Sequence, residues 1–377
     1  MNTGIQGIYH YKGSVESIVM LNTITMLLEG DVYHVIDENK NYVWDGEEWQ
    51  EFDQPIEQNQ YARIDDIFAM SSNKNAILYS GKTAIVGTST AIQTLLDNNQ
   101  EEVEIKIKGN VAMSQPLIIP EGKKVTIDLN GSEIISTGAQ AFVASGDGAE
   151  LVLEGGSIKS NANCTVAAQG GGKVVINGTD IVSTTDNGIG SYGAGSEIII
   201  NSGNITGQEY GAIAIDAGNV TINGGTFKGL DNFGVGSNGT AGRGGCTVTI
   251  NGGVIEGHIQ TANYQAVAIY WPNEGTLNFN GGTIITDGAG IVQRGGTVNI
   301  GPDAVIQTSN TPTDRVTGRA GDGRNVVGRY AVVYDYNSKY PAYETMQLNI
   351  ARGAQLNSVD GDLSILPADA PGLTDNR

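Results

Sequence analysis

Cysteine and proline are scarce in this 377-residue chain, at two and nine residues. Two cysteines are too few for a disulfide-stapled fold. With 54 glycines, Pro and Gly together reach about a sixth of the chain, below the roughly 25 to 30% of low-complexity sequence, so the glycines belong to turns. Positive charge is also short: 21 Lys and Arg stand against 41 Asp and Glu, a net charge of −20. That balance argues against a nucleic-acid partner, which needs a basic face. The apolar stretch from Ile18 to Leu28 is broken by Asn22 and falls short of the ~20 residues that cross a bilayer, so no membrane insertion is expected. The opening Met1-Asn-Thr-Gly-Ile-Gln has no basic region leading into an apolar run, and no signal peptide is expected. Aromatics make up 6% and thin out after the first eighty residues, leaving Ile, Val and Leu to build the core.

What is present is a repeat. Asn-Gly-Gly or a near variant follows a short alternating strand in Val220–Gly225, Val248–Gly253 and Leu277–Gly282, and more loosely in Ile127–Gly131, Leu151–Gly156, Val174–Gly178 and Ile198–Gly203. Asn130, Glu154, Asn177, Asn201, Asn223, Asn251 and Asn280 are separated by 24, 23, 24, 22, 28 and 29 residues. Such a period marks a solenoid or propeller. Three short strands fit each period, as in Ala212–Ile215, Val220–Ile222 and Thr226–Lys228. A propeller blade needs four strands in ~40 to 50 residues, and leucine-rich repeats space their leucines differently. The expected class is therefore all-β: a right-handed, single-stranded parallel β-helix of about ten coils, its hand following from the chirality of parallel crossovers.

Four regions are expected. Residues 1–53, crowded with Tyr9, Tyr11, Tyr33, Tyr42, Trp44, Trp49 and Phe52, read as a separate β module with strands at Gly30–Ile36 and Tyr42–Trp44. Residues 54–87 read as a linker or neck. Residues 88–366 form the β-helix, with the amphipathic segment Thr88–Asp97 as a helical cap over its first coil. An arginine-bearing insertion, Thr311–Arg329, interrupts the last coils, and 367–377 reads as a loose tail.

Several motifs compete between structure and chemistry. The recurring asparagines are expected to form an inward amide ladder. Gly188–Gly193 and Gly234–Gly239 match G-x-G-x-x-G but precede no helix that could hold a pyrophosphate, so they read as two copies of one turn and no cofactor is expected. Asp37–Glu48 places oxygens as a calcium hand would, yet Tyr42 occupies the glycine position, which favours a hairpin and no metal. Cys164 and Cys246 fall at different points of the repeat and read as small buried hydrophobes. None of His10, His34 and His258 sits in a Ser/Asp or metal-ligand pattern. Asp186, Glu209, Asp231 and Asp287 recur just before the first strand of their coils. Such a column is a solvated face, a cation or glycan contact, or, at coil spacing, a glycosidase-like carboxylate pair. Tyr264, Tyr270 and Trp271 cluster in the longest coil, where they either stack on sugar rings or pack beneath an outward bulge at Trp271–Glu274.

Lys12-Gly-Ser-Val15, Gly30-Asp-Val-Tyr-His-Val35 and Asn41-Tyr-Val-Trp-Asp-Gly-Glu-Glu-Trp49 resemble a module of head fibre and related appendage proteins of tailed bacteriophages. The resemblance covers about an eighth of the chain. It implies a non-enzymatic virion protein, attached to capsid or other virion proteins through residues 1–53 with Tyr33, Tyr42, Trp44 and Trp49, assembled as a homotrimer and presenting its β-helix to host glycans. The body is similar to the pectate-lyase-like superfamily only in its repeat, and no Arg or Lys accompanies an Asp cluster to map a lyase site. A tailspike-like polysaccharide depolymerase is the enzymatic alternative. A bacterial surface adhesin is the third, disfavoured by the absence of a recognisable export signal or anchor.

Overall fold

The computed structural model describes residues 10–24, 27–29, 31–38, 40–51, 77–80, 82–98, 100–161, 164–231, 233–238, 242–258, 266–309, 317–319 and 325–377. The chain divides into two compact units, Met1–Asp97 with Val103–Lys108, and Asn98–Glu102 with Gly109–Arg377.

In the first unit four strands, His10–Val15, Asp31–Val35, Lys40–Trp44 and Trp49–Glu51, pair in chain order. The first pair is parallel and the next two are antiparallel. A one-turn helix, Ile18–Leu21, lies on the parallel crossover, with the Ser17 hydroxyl accepting from the Met20 N–H. At the Trp44–Trp49 turn, Gly46 adopts φ +101°, and one Asp45 carboxylate oxygen accepts the N–H groups of Glu47 and Glu48 at 2.9 and 2.8 Å. Leu21, Val32, Val35 and Val43 are buried, Val32 and Val43 facing each other across one side of the sheet and Val35 lying on the other, with Tyr33. The region expected as a linker contains a hairpin, Leu78–Ser80 with Thr83–Val86, whose second strand pairs in parallel with Glu102–Ile107. The helix Ser89–Asp97 forms as expected and buries Ala91, Ile92, Leu95 and Leu96.

The second unit is a parallel β-solenoid, and the described residues stack about 11 turns. Each coil carries three strands, here named by face. Face A contains ten strands from Leu117–Ile119 to Gly361–Leu366. Face B holds strands such as Glu150–Glu154, and face C strands such as Ser157–Ser160. Faces B and C run into one another in the long strands Thr276–Thr286 and Thr297–Thr308. Alternation sends every second side chain inward, and strict register stacks like on like. On face B, Val125, Leu151, Val174, Ile198, Val220, Val248, Leu277, Val298 and Leu348 form one unbroken buried column. Each such aliphatic contributes about 1.5–3 kcal/mol on burial.

The corner between faces B and C explains the Asn-Gly-Gly repeat. The second glycine takes a left-handed conformation, φ +95° at Gly225, and a Cβ there would stand 2.3 Å from the Gly203 carbonyl oxygen of the coil below. The asparagines form a ladder, Nδ2 to Oδ1, at 2.8 to 2.9 Å from Asn177 through Asn201, Asn223 and Asn251 to Asn280. Contrary to expectation the ladder faces outward: the last four of these residues are exposed. Gly occupies the tight inner corner, and the amide takes the outer position where coil spacing matches its hydrogen-bonding reach.

Two further expectations are corrected. The G-x-G-x-x-G segments run along face A as strands Ile189–Tyr192 and Phe233–Ser237. Their first glycines, Gly188 and Gly234, leave room for Ile205 and Ile255, whose Cγ2 atoms would lie 2.7 Å from an added Cβ. Residues 367–377 continue the solenoid: Leu373–Asp375 pairs in parallel with Gln347–Ile350, and the Arg377 guanidinium bridges Asp362 and Asp375, each at 2.7 Å. The Tyr334 hydroxyl, donating to the Pro371 carbonyl at 2.7 Å, also ties this segment down. In the insertion, Thr317–Arg319 and Asn325–Val327 pair as an antiparallel hairpin.

Candidate functional site

The carboxylate column lies at the corner where face C turns into face A. Backbone hydrogen bonds stack the corner coil on coil: the Gln208 and Glu209 N–H groups donate to the Asp186 carbonyl, and the Asp231 N–H donates to the Gln208 carbonyl. This brings Asp186, Glu209 and Asp231 onto three successive coils. Asp186 is held by its own turn, its side chain accepting the Asn187 N–H at 2.7 Å. Asp231 accepts the Gln208 side-chain amide at 2.6 Å. Glu209 remains exposed. Partial burial pushes its carboxyl above the ordinary range, and the neighbouring charges of Asp186 and Asp231 push it further.

Asp287 stands apart from those three. The intervening coil places His258 at this corner, and its Nδ1 lies 2.6 Å from Asp287 Oδ2. The sequence reading left His258 without a partner, because Asp287 is 29 residues away and only the stacking of coils brings them together. Among the described residues, no three His, Cys, Asp or Glu side chains are grouped to hold a metal ion.

Face A beside this corner carries aromatic rings. The Tyr192 ring folds over Gly190 and the Tyr210 ring over Gly236, where an added Cβ would come within 2.5 and 2.4 Å of ring carbons. Glycine at these points leaves room for the rings. The Tyr210 N–H donates to Asn187 Oδ1 at 3.3 Å, linking the aromatic row to the acidic corner. Tyr192 hydrogen bonds with Asn187 and Cys164, and burial raises its hydroxyl pKa. Both cysteines are free and buried. Burial pushes the Cys164 thiol up to about 12 and the Cys246 thiol up to about 11, which leaves both unreactive at neutral pH. Tyr192 and Tyr210, missed in the sequence, are signalled there only by aromatic residues interrupting an aliphatic repeat.

Further along face A the rings are covered. Phe233 meets Tyr210 edge-on at 5.3 Å and stacks on Tyr270 at 4.9 Å. Tyr270 is only 4% exposed and Trp271 is fully buried, so neither can stack on a sugar ring. Asn273 turns inward and not out, its side chain accepting the N–H groups of Cys246 and Gly275 at 2.8 Å each. Arg294 lies fully buried between the Tyr270 and Tyr340 rings and pairs with Asp335 at 3.1 Å. Tyr264 lies outside the described residues.

The four aromatics assigned to the N-terminal module share one side of its sheet. Tyr33 pairs with Tyr42, and Trp44 with Trp49. Tyr33 and Trp44 both meet the Trp49 ring near-perpendicularly, at 5.7 and 5.3 Å. All four are partly exposed. Burial, with Asp31 nearby, pushes the Tyr33 hydroxyl up to about 12. Lys12 reaches Asp31 at 3.2 Å, joining the first strand to the second. The calcium-hand alternative gives way to the hairpin, where the Tyr42 hydroxyl donates to Glu38 at 2.5 Å and Lys40 pairs with Glu51.

No protein-family model matches this chain, and neither the curated proteins nor the solved structures contain a significant match to it.

Proposed function

We propose that the protein is a structural appendage of a tailed-bacteriophage virion, a head fibre or a similar part, with the N-terminal module as its attachment element and the solenoid presented to the host surface. The observation that carries this reading is the module: the segments at Lys12–Val15, 31–35 and 41–49, which resemble those of phage appendages, fold into one sheet. There Lys12 is ion-paired to Asp31, and Tyr33, Tyr42, Trp44 and Trp49 lie on a single side. A rank of partly exposed rings is the composition favoured at protein interfaces. Capsid or other virion proteins are the proposed partners and the virion the proposed location. Particles assembled with a chain lacking residues 1–60 should contain none of it, as read by immunoblot of purified virions; wild-type incorporation would refute the assignment.

A second reading rests on Glu209. Asp186, Glu209 and Asp231 lie on successive coils at one corner, and coils about 5 Å apart can bring two carboxyl groups to the spacing of a retaining glycosidase, with Glu209 raised by partial burial and its acidic neighbours. The discriminating assay incubates the protein with capsular and mucin polysaccharides. New reducing ends, lost in Glu209→Gln, would establish a depolymerase; their absence favours the structural role.

A further inference from the structure

Face B carries a charge pattern that a second copy of the same chain fits. Four successive coils present outward-facing residues in three ranks along the solenoid axis. Cross-strand register builds the first rank from Lys124, Glu150, Lys173 and Glu197. The central rank is Thr126, Val152, Val175 and Ile199. The third is Asp128, Glu154, Asn177 and Asn201, the last two joined by the amide ladder. All twelve are partly or fully exposed, and no segment among the described residues buries them.

We infer that this face is a two-fold interface between antiparallel copies of the chain, with the axis passing between the Glu150 and Lys173 levels. A two-fold axis along the strand direction lays each rank on itself in reverse order. In the first rank Lys124 then meets Glu197 and Glu150 meets Lys173, so every contact is between opposite charges. In the central rank Val152 meets Val175, and Ile199 meets Thr126. In the third, Asp128 meets Asn201 and Glu154 meets Asn177, carboxylate acceptors facing amide donors. The parallel arrangement fails the same comparison, because it lays the first rank on the third and sets Glu150 against Glu154 at one level. On a chain of net charge −20, two copies repel except where a surface offers such matched signs. Within one copy the alternation is satisfied only weakly, the Lys173 to Glu197 distance being 3.5 Å with both side chains well exposed.

Four coils at about 4.8 Å span only about 20 Å along the axis, which places the contact among small, reversible interfaces. This inference stands apart from the proposed virion role. Sedimentation equilibrium on the full chain at low ionic strength tests it. The expected result is a concentration-dependent monomer and dimer mixture that shifts towards monomer as salt rises. Glu150→Lys or Lys173→Glu alone should weaken association by about tenfold or more, because each sets like charges across the axis. The double exchange Glu150→Lys with Lys173→Glu restores opposite signs at every level of the first rank and should recover the dimer to within about threefold of wild type. Val175→Thr, a β-branched change at an outward position, should weaken association while leaving the far-ultraviolet circular dichroism unchanged. A chain monomeric at every concentration, a trimer, or a double variant no better than either single one would overturn the inference.

Discussion

In the N-terminal module a strand finds its partner close by in sequence, Val32 opposite Val43, while in the solenoid a strand pairs with its equivalent one repeat away, as Val174 does with Ile198. The module has few buried positions, Leu21, Val32, Val35 and Val43 among them, and partly exposed aromatic rings line one side of its sheet. The solenoid has a fresh set of inward positions in every coil, and aliphatics of similar size fill them in columns. An aromatic interior such as Phe227 occurs without breaking register with the coil on either side. The comparison teaches that stability is distributed along the rod through neighbour contacts, whereas the module depends on a handful of residues. Both units bury an ion pair, Lys12 with Asp31 in the module and Arg294 with Asp335 in the solenoid, and the C-terminal coils depart from the rest by burying theirs completely, with the Tyr340 ring over the guanidinium.

The largest expected effect comes from that departure. Arg294→Ala strands the Asp335 carboxylate in the interior without its cation, at a cost of about 3–5 kcal/mol. Thermal unfolding should show the solenoid transition falling sharply while the module's signal stays in place; a wild-type transition would mean that the pair carries no stabilisation.

Trp49→Ala should act in the opposite sense. It removes the ring that Tyr33 and Trp44 both meet, a loss of about 2 kcal/mol. Near-ultraviolet circular dichroism of the aromatic side chains should change, with the main unfolding transition preserved. A single merged transition moved downward would show that the two units unfold together and would break the comparison.

The smallest effect concerns the solenoid's surface. Glu209 has a raised folded-state pKa, so the folded protein binds more protons than the unfolded one between the ordinary glutamate value and the raised value. Its ionisation therefore costs stability above that window, and the cost disappears as pH falls below the ordinary glutamate range. Glu209→Gln should stabilise the protein at neutral pH by less than about 1 kcal/mol, given the exposure of the group. The gain should vanish in melts near pH 4. A destabilising substitution at neutral pH would instead assign Glu209 a favourable ionic contact.

The coil rhythm was legible because its period follows from backbone geometry. A corner that turns in three residues under a carbonyl of the coil below requires glycine, and Gly225 and Gly253 announce it wherever they recur. The three strands per coil and the two hairpins of the module followed from alternation and from Asp45-Gly46. The outward sense of the asparagine ladder did not, since a polar residue before two glycines reads alike on either side of the chain. Residues 367–377 read as a tail because they carry no Asn-Gly-Gly signature and only the three-residue strand Leu373–Asp375, although that strand pairs one repeat upstream with Gln347–Ile350 as in any other coil.

The candidate site divides in the same way. Repeat phase alone placed Asp186, Glu209 and Asp231 in one column, since residues at one phase of a solenoid must stack. The pairing of His258 with Asp287, the packing of Tyr192 and Tyr210 against glycines, and the burial of Tyr270 and Trp271 were decided by tertiary structure. The sequence by itself determined which residues share a phase and hence a face. Only the folded chain decided which of them meet water, because exposure depends on segments arriving from elsewhere, as Tyr340 does over Arg294.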